Sequence, residues 1–130
     1  MRRTRDFTTK FLVVFFLLVG LSICGYWGTQ LSSGFLPLGV NTISGDSYII
    51  WHVIAELIAG IITIIAAFLL LTRNALGHRL GLFSCGMLLY TGLSSIGWGI
   101  LHDPGLLALF IITSLGSLFG FFALIGREEL

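Results

Sequence analysis

Four stretches of about twenty apolar residues, at about 8–27, 48–71, 80–101 and 106–125, limit this chain to very few folds. Crossing the hydrocarbon core of a bilayer as a helix takes about 20 such residues. The second stretch is the plainest. Leu57, Ile58, Ile61, Ile62, Ile64 and Ile65 form its centre, broken only by Ala59, Gly60 and Thr63. Composition agrees: 56% of the 130 residues are hydrophobic and 10% are charged, against about a quarter charged in soluble domains. The pattern predicts an all-α membrane protein, a four-helix transmembrane bundle forming a single domain over 1–130.

The cations set its orientation. Arg2, Arg3, Arg5 and Lys10 precede or open helix 1, Arg73 and Arg79 flank the helix 2–3 connection, and Arg127 follows helix 4. With four crossings all seven fall on one side, which is the cytoplasmic side by the positive-inside rule. The expectation is a multi-pass protein of the cell membrane with both termini cytoplasmic. Tyr26, Trp27, Tyr48, Trp51 and Trp98 would then form an aromatic belt at the outer interface. A cleaved signal peptide is the rival reading of the N-terminus. Ile23 weakens a lipoprotein-type site at Leu21–Cys24, Phe7 is displaced from its place in a twin-arginine pattern, and a long helix ending in Tyr26-Trp27 suits a retained anchor.

The connections hold less information. The outer loop 28–47 carries Leu31, Phe35, Leu36, Pro37, Leu38, Val40 and Ile43 among Gly and Ser. It reads as an interfacial connector, or as a lid over the helix ends. Asp103 fits a cap for helix 4, and Pro104 its first helical position. Cys24 and Cys85 lie at different depths and are read as small packing residues, not a disulfide. The net charge of +1 offers no field for nucleic acid.

Helical periodicity at about 100° per residue predicts the inward faces. On helix 2, His52, Ala55, Glu56, Ala59, Gly60, Thr63, Ala66 and Ala67 share one stripe, and Val53, Ile54, Leu57, Ile58 and the other large aliphatics face lipid. Helix 3 has Gly81, Ser84, Cys85, Thr91, Gly92, Ser95 and Gly99 on one side, with Gly86, Tyr90, Ser94 and Gly97 on another. Small residues on both sides predict protein on both sides. Helix 4 offers Thr113, Gly116, Ser117 and Gly120. By a rise of about 1.5 Å per residue, Glu56 lies about 12 Å deep and His52 about 6 Å. Tyr90, Thr91, Ser95, Thr113 and Ser114 are the residues expected to line a pocket at that level. Below them the bundle is expected to be largely apolar.

An acidic side chain near the bilayer centre costs about 2.5–3.5 kcal/mol on insertion scales. His52, one turn away on the same face, is the nearest group able to offset it. Three readings of the pair follow. In the first, Glu56 binds a proton or cation, tuned by His52, in an outward-facing polar pocket of a small transporter or channel-like protein. In the second, Glu56 is merely paired, and the chain is a non-catalytic accessory or assembly subunit with a homo-oligomeric or membrane-complex partner. In the third, His52 and Glu56 join His102, Asp103 and Asp46 around a metal in a membrane enzyme. No HExxH motif or cysteine cluster supports that set, no cofactor is implied, and the only certain partner of such a chain is the lipid bilayer.

Among known families, small multidrug transporters share the four-span plan, but helix 1 here has no membrane carboxylate. The CxxC of vitamin K epoxide reductases and the paired histidines of di-haem cytochromes are also missing. Through Trp51-His52-Val53-Ile54-Ala55-Glu56 and Gly86-Met87-Leu88-Leu89-Tyr90-Thr91, the chain resembles a loosely defined group of uncharacterised small four-helix prokaryotic integral membrane proteins. That resemblance covers helices 2 and 3 and implies no activity.

Overall fold

The computed structural model describes residues 2–32, 46–102 and 104–126. Over these the chain forms four α-helices, α1 (Arg2–Ser32), α2 (Asp46–Leu71), α3 (Ala75–His102) and α4 (Pro104–Ile125). All four are long and apolar enough to cross a membrane. Each runs past its predicted stretch at one end or both, α1 most of all. The apolar stretch marks the thickness of hydrocarbon, whereas a helix continues until its backbone is capped. Helix α4 starts at Pro104, as expected. Asp103 and most of the 28–47 loop lie outside the described residues, so its connector and lid readings have no structural counterpart here.

The turn between α2 and α3 shows how one such end is made. Asn74 N–H donates to the Leu69 carbonyl at 3.0 Å and Arg73 N–H to that of Leu70 at 3.2 Å. Arg73 takes the left-handed conformation, φ 58°, that such helix ends require and that glycine usually supplies. Asn74 Oδ1 then accepts the Leu76 N–H at 3.0 Å and opens α3.

Sequential helices pack side by side, α1 on α2, α2 on α3 and α3 on α4, while α1 and α4 meet over a short stretch. The α1–α2 seam is set by Gly20 and Gly60. A methyl group on Gly60 would sit 3.0 Å from the Cys24 sulfur and 3.3 Å from the Gly20 carbonyl oxygen, so the backbones approach closely only because neither residue has a side chain. Aromatic rings fill the α1–α4 gap: Phe15 lies over Gly116, and Phe11 meets Phe119 edge-on at 5.4 Å.

A buried apolar cluster lies in the half of the bundle that holds the start of α1 and the α2–α3 turn. Leu12, Val13, Phe16, Ala66, Ala67, Leu70, Cys85, Leu88 and Leu124 form it. This half is less purely apolar than expected, because Thr63, Ser84 and Ser117 are fully buried there. The Thr63 and Ser117 hydroxyls donate to carbonyls one turn back, those of Ala59 and Thr113. Ser84 Oγ has no hydrogen-bond partner. Cys24 packs at Gly60 and Cys85 at Gly120, both as free thiols.

The inward stripe of α2 is largely as predicted, with two exchanges. Val53, expected to face lipid, is buried, and Ala55, expected inside, is exposed. Helix α2 packs against both α1 and α3, so its buried arc is displaced from the small-residue stripe. The second face of α3 also differs from expectation. Gly86, Tyr90, Ser94 and Gly97 are exposed, with Tyr90 at 75%.

Candidate functional site: a carboxylate held by three helices

Glu56 is 8% exposed, on the helix that packs against both α1 and α3. Three donors reach it. The Trp27 indole Nε1–H on α1 donates to Oε2. The Ser95 hydroxyl on α3 donates to Oε1 at 3.3 Å. His52 Nε2, one turn earlier on α2, lies 3.3 Å from the same oxygen. A carboxylate has about four lone-pair sites, so most of its capacity is used by side chains from three different helices.

This arrangement has a chemical consequence. Ionised Glu56 accepts from every one of these neighbours. Once protonated, it carries an O–H of its own in the remaining site and becomes a weaker acceptor for the same donors. Two of the three donors belong to other helices. A proton placed on Glu56 would thereby weaken the contacts of α2 with α1 and α3.

Beside the pair, α2 and α3 bound a cleft of about 530 Å³. His52, Ala55 and Ala59 form its α2 wall, and Leu82, Phe83, Gly86, Met87, Tyr90 and Thr91 its α3 wall. The His52 side chain is 31% exposed and connects cleft to carboxylate, whereas Glu56 lies behind it.

Of the residues expected at this level, Ser95 reaches Glu56, and Tyr90 and Thr91 line the cleft. Ser114 sits in the α3–α4 seam instead, against Gly92 with its hydroxyl donating to the Phe110 carbonyl at 2.8 Å, and Thr113 beside it on α4 is half-buried. Helix α4 does not pack against α2, which keeps both residues away from the pair. Among the described residues, no three His, Cys, Asp or Glu side chains gather to hold a metal. The metal set of the sequence reading depends on Asp103, outside the described residues, and on His102 and Asp46, whose side chains are not described.

Sequence reasoning missed Trp27, read there as a belt aromatic. The counted depths hid it: they put Trp27 at the outer boundary and Glu56 about 12 Å below it, whereas α1 continues to Ser32 and brings Trp27 level with Glu56.

Together the fold and this site define a small helical bundle, suited to a lipid bilayer, with a shared carboxylate at the junction of three helices. Residues 7–128 match the family model described as Domain of unknown function (DUF8058), and the chain belongs to that family. No curated protein and no solved structure matches it.

Proposed function

We propose that this protein is a small proton-linked transporter of the prokaryotic cell membrane, spanning it four times with both termini cytoplasmic. Glu56 is the proton-binding group and His52 the relay between it and the α2–α3 cleft. The observation that carries this reading is the partly exposed imidazole 3.3 Å from a buried carboxylate. A buried intramembrane carboxylate with a titratable neighbour is the usual form of a proton relay. The cation asymmetry of the sequence supports the orientation.

Proteoliposomes loaded with a pH-sensitive dye, under a clamped potential, provide the test. Wild-type protein is expected to carry protons, and Glu56→Gln and His52→Ala each to lose most of that flux. Infrared difference spectra should contain a carboxyl band that titrates and disappears in Glu56→Gln. Full flux in Glu56→Gln, or no titrating carboxyl, rules the reading out.

A second reading is favoured by one observation, the near-complete satisfaction of Glu56 by other side chains. In an accessory or assembly subunit the carboxylate is a static clamp. The exposed second face of α3 would then receive a second copy or a larger membrane partner. This version predicts that Glu56→Gln lowers stability or assembly and leaves no proton signal to lose.

A further inference from the structure

The two directions away from Glu56 are built differently. Toward the start of α2, His52 is 31% exposed. Toward the end that holds the start of α1 and the α2–α3 turn, the bundle is closed, and Gly81 marks the closure. A methyl group there would lie 2.9 Å from Leu124, 3.6 Å from Leu70 and 3.7 Å from Phe16. Side chains of α1, α2 and α4 thus converge on one point of α3, with Leu12 and Leu88 fully buried in the same cluster. A hydrated proton does not pass such a plug.

The interior between Glu56 and the plug nevertheless carries hydroxyls. Thr63 lies seven residues below Glu56 on α2, about 10 Å. The Cys85–Gly120 contact sets Ser117 of α4 near the same height, and the Leu70–Gly81 contact sets Ser84 of α3 about one turn lower. All three are fully buried. The Thr63 and Ser117 hydroxyls donate to carbonyls of their own helices, which leaves their oxygens able to accept. Ser84 Oγ has no partner. Alanine would fill that place without burying an unmatched hydroxyl, so packing does not account for Ser84.

The seam in front of these residues is the shortest of the bundle, where α1 meets α4. It joins apolar surfaces: Phe15 over Gly116, Phe11 edge-on to Phe119 at 5.4 Å, and Leu12 at 2.9 Å from a methyl group placed on Gly120. Parting such surfaces in a bilayer exchanges protein contacts for lipid contacts of the same polarity. The other seams of α2 are tied by polar groups, through the Trp27 and Ser95 bonds to Glu56. Phe16 and Leu124, two of the three side chains that close on Gly81, stand on α1 and α4.

We propose that the α1–α4 seam is the inner gate of this protein. Parting α1 from α4 withdraws Phe16 and Leu124 from Gly81 and admits water along Ser84, Ser117 and Thr63 toward Glu56. This rests on the reading of Glu56 as the proton-binding group, and it supplies the second access that a transporter needs.

Phe11→Cys with Phe119→Cys, in a Cys24→Ala and Cys85→Ala background, allows a bifunctional methanethiosulfonate to bridge the seam in proteoliposomes. Bridging should lower proton flux by more than about tenfold, as when the open arrangement is removed from the population. A reducing agent should restore the flux, and the carboxyl band of Glu56 should titrate throughout. Unchanged flux in the bridged protein overturns the proposal, as does an equal loss in either single-cysteine variant treated alike. Cys85 provides a second readout without flux. It is 1% exposed, and its sulfur lies 3.1 Å from a methyl group placed on Gly120, directly behind the seam. In Cys24→Ala protein, a membrane-impermeant maleimide applied on the side of the termini should modify Cys85. Gly116→Leu, which wedges Phe15 off the seam, should speed this by more than about tenfold. A thiol that never reacts, or reacts at one rate in both proteins, overturns the gate. Wild-type flux and a titrating carboxyl with either of those results would remove the gate alone. Cys85 modification sensitive to the wedge, without any titrating carboxyl, would remove the proton reading alone.

Discussion

Substituting Trp27 by Phe keeps most of an aromatic ring and removes one hydrogen-bond donor. The cost depends on what remains behind. Glu56 Oε2 would lose its only assigned donor, within a residue that is 8% exposed. A hydrogen bond to a charged group contributes about 1.5–3 kcal/mol. Polar contacts between membrane helices average about 0.6 kcal/mol and reach about 1.7, because separated helices find other partners. Here the separated α2 keeps only His52 as a partner for Glu56, since the pair is one turn apart on one helix. The Trp27 and Ser95 bonds exist only after assembly. The expected cost of Trp27→Phe is therefore about 1.5 kcal/mol, at the upper end of the membrane range. Ser95→Ala, which loses a longer bond, should cost about 1 kcal/mol, and His52→Ala less still.

The same reasoning predicts that the cost vanishes when the acceptor is also removed. Breaking one side of a buried polar contact is expensive, while replacing both sides with apolar groups is close to neutral. Trp27→Phe should thus cost about 1.5 kcal/mol beside Glu56 and close to nothing beside Glu56→Leu. Unfolding in mixed micelles by added SDS, followed by circular dichroism, gives the four free energies of this cycle. Independent sites add within about 0.3–0.5 kcal/mol. A Trp27→Phe cost that is equal in both backgrounds, within that margin, refutes the shared-carboxylate account of the site.

Two further outcomes test the frame around the pair by the same titration. Arg73 holds φ 58° at the end of α2, so Arg73→Gly should stabilise the bundle by about 0.5–1 kcal/mol; a loss would mean that Arg73 contributes more through its side chain than it costs through its backbone. Ser84 buries a hydroxyl without a partner, and Ser84→Ala should raise stability by about 1 kcal/mol. An unchanged or lower unfolding midpoint would show that its oxygen is satisfied after all.

Much of this arrangement was legible because membrane helices obey two simple periodicities, length and face. Runs of Ile and Leu gave the four spans, and the spacing of Glu56, Ala59, Gly60, Thr63, Ala66 and Ala67 identified a buried stripe that the structure retains. Depth alone brought Ser95 to the level of Glu56. It failed for Ser114 because depth carries no angular information: both serines lie at similar heights, but only α3 packs against α2. Val53 and Ala55 exchanged places for a related reason. A wheel finds the centre of a stripe, while its edges depend on where the neighbouring helices sit. Trp27 was hidden by its residue type, since a tryptophan at the end of a span satisfies the belt rule whether or not its N–H turns inward. The open second face of α3 marks another limit, because small residues permit close packing without naming the partner.

The position of Glu56 connects these packing details to mechanism. A carboxylate bonded only within its own helix could change protonation without disturbing the bundle. Glu56 instead takes its donors from α1 and α3, and the Trp27 bond lies just outside the α1–α2 seam where Gly20 and Gly60 bring the backbones together. Protonation would replace charge-assisted hydrogen bonds to α1 and α3 with weaker neutral ones. It weakens a helix contact worth about 1–1.5 kcal/mol, enough to change a two-state population about five- to tenfold. The same event alters the partner of His52, which lines the cleft. The helix contacts and the setting of His52 thus share one pair of oxygens, so a proton placed there would be felt by both.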